Sequence, residues 1–477
     1  MMTLTPVEPR RAMRWPSLVG TLARHAPAPE RLFLVGGAVR DALRGAPVQD
    51  IDLITADDGL AVARALADTL GGAYYPVDPE RRTGRVLLGT EEPERVIIDV
   101  ASLRGDDLLE DLLGRDFTVN AMAVPLEQPH LVLDPLGGLR DLFDRRVLRQ
   151  CSPASIRHDP IRALRAARLS LQLNLSIEPE TRLSVRAAGR ALVDEAGWLR
   201  QPERVRDELI KMLASGQPAA SLRLLDALGL LARLLPFPIP PFEVLERRLA
   251  TVALMHQLFT IISPARTDNT AADLIFGVAV MVLDRYRRQL QEHLGRIFAD
   301  GRPLTAVALL GAFTPPDADQ PGNTWGVRLR LSNAEARFLN TLAETRQRLP
   351  LPRPVSDRLI HRYYRDTGET GITGVLLMLA EHLSAQPPGS VDPEAWGALL
   401  EEVAAPLLDA FFRRHQQAVS PPPLIDGQDL MQHLGLKPGP LIGTILDRLL
   451  EEQAAGTIRT KQEALQLAER LSRNALS

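Results

Sequence analysis

The stretch from Leu32 to Leu53, LFLVGGAVRDALRGAPVQDIDL, constrains the fold most. Its apolar run Leu32-Phe33-Leu34-Val35 is short and closed by glycine, which predicts a buried strand. Gly36 and Gly37 let the backbone turn tightly and let a bulky anion approach the main chain. Ala38 to Arg44 then predicts a short helix whose free N–H groups point back at that anion. Asp50-Ile51-Asp52-Leu53 predicts a second strand. Alternate side chains of a strand share a face, so Asp50 and Asp52 point one way while Ile51 and Leu53 enter the core. Two carboxylates beside a glycine-lined anion cradle make a place for Mg²⁺ and a polyphosphate. Taken singly, Gly-Gly is an ordinary turn and D-x-D a solvated strand end. The order strand, Gly-Gly, helix, D-x-D strand is what points to a site. Neither the dinucleotide fingerprint G-x-G-x-x-G nor the Walker G-x-x-x-x-G-K occurs in this stretch.

Beyond it, Gly59 to Leu70 has helical spacing. Ala73-Tyr74-Tyr75-Pro76-Val77, Arg85 to Leu88 and Arg95 to Val100 read as strands, with the polar segment Asp78 to Gly84 as a mobile loop. Asp99 ends an apolar strand and either completes a three-carboxylate cluster with Asp50 and Asp52 or caps the strand. Asn120 reads as a clip to the backbone. From Ser155 the pattern becomes helical and stays so. Ile156 to Asn174 carries Asp159, Arg162, Arg165 and Arg168 at a spacing of three, which winds them gradually round one flank, since three helical residues turn about 300°. That row is either a solvated surface with Asp159 as N-cap and Pro160 at N1, or a receiver for an anion or a base edge. Further helices are expected at Gln201 onward, Gly427 to Leu436 with Asp426 as cap, and Leu441 to Gln453. Thr460 and Glu463 form a capping box for the last one.

A chain of 477 residues exceeds one domain. The net charge of −3 carries no global nucleic-acid signature, so RNA binding would need a local patch. The basic residues are nearly all arginine, with lysine at 211, 437 and 461. The single cysteine, Cys151, excludes an internal disulfide and a cysteine metal cluster. No apolar h-region stands near the N-terminus, and the longest apolar run, Leu274 to Leu283, is far short of the roughly 20 residues a membrane span needs. No membrane association is expected, and a cytoplasmic location is.

Seven words in order carry a resemblance: VGGAVRD at 35–41, DIDL at 50–53, IDVASLRG at 98–105, RDFTVNAMA at 115–123, DPLGGLRDL at 134–142, DPIRALRAAR at 159–168 and ERVRDEL at 203–209. With GLKPGPLIG at 435–443, they make the chain resemble the bacterial, class II tRNA nucleotidyltransferases, the CCA-adding enzymes, whose head is shared with bacterial poly(A) polymerases. The resemblance implies an α+β fold: a polymerase-β-like head with a mixed sheet, followed by an all-α neck, body and tail. It divides the chain into an N-terminal extension (1–28), nucleotidyltransferase head (29–150), neck (151–215), helical body like a degenerate His-Asp phosphohydrolase domain (216–420) and tRNA-binding tail (421–477). It implies template-independent addition of C, A or both to the 3′ end of tRNA from CTP and ATP, with Mg²⁺ as cofactor. Asp50 and Asp52 would hold two metal ions, Asp99 is the weaker candidate for a third carboxylate, and Gly36, Gly37, Arg40 and Arg115 would hold the triphosphate. Asp159 and Arg162 would read the base, supported by Arg165 and Arg168.

Three departures stand out. His158 replaces the family's Glu, Gly114 replaces one basic residue, and the segment Ala308 to Pro315 resembles the phosphohydrolase helix without its His-Asp pair. No phosphohydrolase activity is therefore expected; release of phosphate from 2′,3′-cyclic nucleotides would contradict this. Poly(A) polymerase and a non-catalytic tRNA-binding protein are the competing readings, and the oligomeric state stays open.

Overall fold

The computed structural model describes residues 4–48, 50–89, 96–266, 274–387 and 389–476. They form two compact units, residues 1–201 with 224–233, and residues 202–223 with 234–477. The fold is α+β, with the main sheet confined to the first unit.

That sheet has eight strands: β1 (Pro6–Val7), β2 (Leu32–Val35), β3 (Asp50–Thr55), β4 (Ala73–Asp78), β5 (Thr83–Leu88), β6 (Val96–Ser102), β7 (Ala123–Pro125) and β8 (Val132–Leu133). Their order is β1-β8-β7-β2-β3-β6-β5-β4, mixed because β3 and β6 run parallel while the other neighbours run antiparallel. Helices α1 (Ser17–His25), α2 (Gly37–Arg44) and α3 (Gly59–Leu70) contribute Val19, Leu22, Val39, Leu43, Ala63 and Leu66 to a core with Ile51, Leu53, Val86, Ile98 and Val100. Each leucine or isoleucine buried there contributes about 1.5–3 kcal/mol. α3 can lie this close because Gly59 has no side chain: a Cβ would meet the Arg82 carbonyl oxygen at 2.4 Å. The other face is covered in part, by α4 (Leu108–Leu113), whose Leu108 and Leu112 pack with Ile54 and Ala123.

Two expectations are corrected here. Asp78 to Gly84 is not a long loop. Thr83 and Gly84 pair with Ala101 and Val100, leaving a turn at 79–82 inside a β4–β5 hairpin. The helix expected over Ile156 to Asn174 is two, Ser155–His158 and Ile161–Leu173. Pro160 clashes with helical geometry at the residue before it, and Asp159 sits extended at φ −135° and ψ 92°. Asp159 is thus the break between helices, and Pro160 takes the N-cap position. Arg95, expected to open β6, lies outside the described residues.

The second unit is helical. In its C-terminal part Leu430, Ile442, Ile445, Leu449, Ala464 and Ala468 form a core of their own. Asp426 caps the helix Gly427–Leu434, and Thr460 and Glu463 cap each other's backbone as the sequence predicts. The segment Ala308 to Pro315 forms most of a buried helix, Leu304–Phe313. No helix among the described residues is long and apolar enough to cross a membrane.

Candidate active site

β2 ends at Val35, and Gly36 turns the chain with φ +72°, a conformation other residues adopt under strain. α2 begins immediately after it. A Cβ on Gly36 would lie 3.2 Å from Asp52 Oδ2 and 3.4 Å from Arg115 Nη1. The space left by the missing side chain is therefore where a carboxylate and a guanidinium converge. A Cβ on Gly37 would lie 3.4 Å from Arg40 Nη2.

On β3, Asp50 is exposed and Asp52 half-buried on one face, while Ile51 and Leu53 are buried on the other. Strand pairing sets Asp52 opposite Asp99, and Asp99 opposite Arg85. Arg85 grips Asp99 with Nε and Nη2, both at 2.8 Å. Burial raises Asp52 to about 6; Asp99 and Asp50 push it the same way, and Arg115 and Arg85 pull against them. The two guanidiniums do not offset burial and the two neighbouring acids, so Asp52 favours a further cation. Among the described residues no three His, Cys, Asp or Glu side chains are set to hold a metal ion. With Asp99 held by Arg85, Asp50 and Asp52 are the carboxylates of this face not gripped by an arginine fork. That pair suits a hard divalent ion, which keeps several waters and takes further oxygens from phosphates.

The arginines are each positioned by a carboxylate or carbonyl. Arg115 donates through Nε and Nη2 to the buried Asp111, at 3.0 and 2.8 Å. Arg40 donates to Asp41 and, at 2.6 Å, to Asn120 Oδ1. Asn120 in turn donates to Asp116, which also receives Arg165 at 3.1 Å. Asn120 therefore clips side chain to side chain rather than to the backbone. Burial alone would lift Asp116, but Arg165, Asn120 and the Phe117 N–H hold it below the usual carboxylate range. This relay ties α2 to the helix Ile161–Leu173.

Arg162 on that helix turns two nitrogens onto backbone carbonyls, Nη2 to Gly114 at 2.9 Å and Nη1 to Arg115 at 3.0 Å, with Ser155 Oγ at 2.7 Å. Its Nε faces Asp159 Oδ2 at 3.9 Å. Arg168 donates to Gln172 on its own helix, at 3.0 Å. The row thus divides: Arg162 and Arg165 reach the Gly114–Asn120 segment, and the Arg168 bond runs along the helix. Arg85 and Asp111 are the site residues that sequence reasoning missed. Alternation in Arg85-Val86-Leu87-Leu88 put Arg85 opposite the core face, but strand register was needed to aim it at Asp99.

Comparison with known proteins identifies the family. Residues 32–149 match the head domain of poly(A) polymerases, residues 174–239 a model described as "Probable RNA and SrmB- binding site of polymerase A", and residues 414–468 tRNA nucleotidyltransferase domain 2. The A-adding tRNA nucleotidyltransferase of Deinococcus radiodurans is 35% identical over 93% of this chain and 96% of its own length. The chain belongs to the tRNA nucleotidyltransferase family. The CC-adding tRNA nucleotidyltransferase of Geobacter sulfurreducens is 31% identical, covering 94% of this chain and 93% of its own. A CCA-adding enzyme solved in complex with CTP shares the fold, with a TM-score of 0.64 at 21% identity over 96% of each chain. Nucleotidyltransferases of this family work with a divalent metal, in keeping with the two carboxylates, Asp50 and Asp52, on one face of β3.

Proposed function

We propose that this protein adds C, A or both to the 3′ end of tRNA from CTP and ATP, without a nucleic-acid template, in the cytoplasm and with Mg²⁺. The observation that carries the reading is the convergence of Asp52 Oδ2 and Arg115 Nη1 on the side-chain-free face of Gly36. The head is residues 29–150, the neck 151–215, the helical body 216–420 and the tRNA-binding tail 421–477. Asp50 and Asp52 would hold Mg²⁺, which when bound lowers the pKa of the attacking 3′ hydroxyl and neutralises the leaving pyrophosphate.

The chain's own residues do the rest. Gly36 and Gly37 bring backbone N–H groups close to the triphosphate, and the positive end of α2 favours its charge. Arg115, oriented by Asp111, and Arg40, oriented by Asp41 and Asn120, supply guanidiniums to the phosphates. Asp159 accepts and Arg162 Nε donates, side by side. Cytosine and adenine each set an amine donor beside a ring-nitrogen acceptor and match that pair. Guanine and uracil set a carbonyl beside an N–H, so both contacts become like against like, at about 1–3 kcal/mol for such a mismatch. Asp99 stays with Arg85, and Arg165 and Arg168 support the helix that carries the reading pair. The match over residues 32–149 keeps poly(A) polymerase as a second reading, and the tail match at 414–468 weighs against it.

The test is extension of tRNA lacking its 3′ end with CTP alone, ATP alone, and both. One to three added nucleotides are expected. Long tails of A on arbitrary RNA would favour the second reading, and no extension at all would refute both.

A further inference from the structure

The face of the sheet that carries Asp52 stays open beyond the carboxylates. Register sets Tyr75 opposite Arg85, Arg85 opposite Asp99, and Asp99 opposite Asp52. Residues directly opposite one another share a face, so Asp52, Asp99, Arg85 and Tyr75 form one row across β3, β6, β5 and β4. Three strand spacings, roughly 14 Å, separate its ends. Tyr75 is 50% exposed on the edge strand. Its neighbour Tyr74 points to the other face, where Arg64 of α3 lies over the ring at 4.9 Å. One tyrosine of the pair is thus used in packing, and the other is presented to solvent beside the acids.

Arg85 has two of its nitrogens on Asp99, and no partner for Nη1 is seen among the described residues. Two residues along the strands from Arg85 and Asp99, Thr83 and Ala101 line a neighbouring cleft of about 550 Å³ of mixed charge, which Arg81, Arg104, Asp57 and Glu80 also line. An exposed aromatic ring for a base beside a guanidinium for a phosphate is the chemistry that holds single-stranded nucleic acid.

We infer that the Asp99–Arg85–Tyr75 row seats the single-stranded acceptor end of the RNA, a base stacking on Tyr75 and a backbone phosphate meeting Arg85. The inference rests on the proposed function in one respect: it requires an RNA hydroxyl to reach Asp52. Stacking on an aromatic tolerates any base, which suits an acceptor whose last residue changes at each addition.

The experiment uses the full chain and tRNA lacking its 3′ end, with 2-aminopurine in its last two positions. Wild type and Tyr75→Phe should quench the probe. Tyr75→Ala should lose the quench and bind this RNA about 5- to 150-fold more weakly, with affinity for CTP and ATP unchanged. Tyr75 is exposed at a sheet edge, so neither change disturbs the core. Quenching and affinity unchanged in Tyr75→Ala would overturn the inference. So would loss of self-association in that variant without an RNA effect, which would assign the edge to a second copy of the chain. Extension by wild type is followed in parallel. No extension with the quench intact refutes the proposed activity and upholds the stacking. Extension with no effect of Tyr75→Ala refutes the stacking alone.

Discussion

Two carboxylates, one in each unit, are treated in opposite ways. In the helical unit Glu451 receives Arg362 through both oxygens, at 2.9 and 2.7 Å, and also Arg365 and Arg448. Hydrogen bonds from Arg362 first, with help from Arg448, bring it down to about 2. Asp52 in the head sits half-buried among other acids and rises to about 6. The charge of Glu451 is satisfied by the fold, where it joins helices through three arginines. The charge of Asp52 is left for something the fold does not supply. A carboxylate held against its own preference marks a working site far better than one held in accord with it.

The comparison breaks most sharply at Asp52→Ala. Extension should fall by roughly 10⁴-fold, while tRNA affinity in a filter-binding assay stays near wild type, since the change removes a proposed metal donor and not an RNA contact. Asp52→Asn sharpens the electrostatic half. In the fold Asp52 keeps its proton to about pH 6, against an ordinary value of 3.8. Its contribution is therefore neutral below pH 3.8, grows unfavourable between 3.8 and about 6, and is fully so above. The Asn variant should unfold at higher denaturant at pH 7.5, by up to about 3 kcal/mol, with no difference at pH 3. Mg²⁺ should raise the Tm of wild type but not of this variant.

Gly36→Ala should cost about 1–3 kcal/mol in urea unfolding and slow extension as well, because the new Cβ crowds both Asp52 and Arg115. Glu451→Gln tests the other side. It should cost about 1–2 kcal/mol, with arginines partly exposed to water limiting the loss, and leave the rate of extension unchanged. The contribution of Glu451 is present above its ordinary 4.5 and fades as pH falls toward 2, so the difference between variant and wild type should shrink on acidification. Arg168→Ala should change least, within about 0.5 kcal/mol of stability, as a substitution at the far end of the row from Asp159, where Arg168 donates to Gln172 on its own helix. A large loss of nucleotide affinity there would return Arg168 to the base-reading row.

Much of this was legible in the residues because it depends on short range. Leu32 to Leu53 dictates strand, glycine turn, helix and strand through local periodicity, and the caps at Asp426 and Thr460 are written within four residues. What was not legible depends on register and on single steric facts. The pairing of Thr83 with Ala101 shortens a presumed loop to a turn and aims Arg85 at Asp99. The helix break at Asp159 follows from Pro160, and the prediction took proline only as a favourable first residue. The hold of Arg162 on the Gly114 and Arg115 carbonyls joins residues nearly fifty positions apart, which no periodicity reveals.

That last hold has a consequence for how such an enzyme could change its choice of letter. The guanidinium beside Asp159 is bolted to the same peptide segment that carries the Arg115 fork. If Arg162 reads the base and Arg115 holds the phosphates, as proposed, any swivel that re-aims the one must drag the other with it, and a variant with relaxed choice should also grip more weakly.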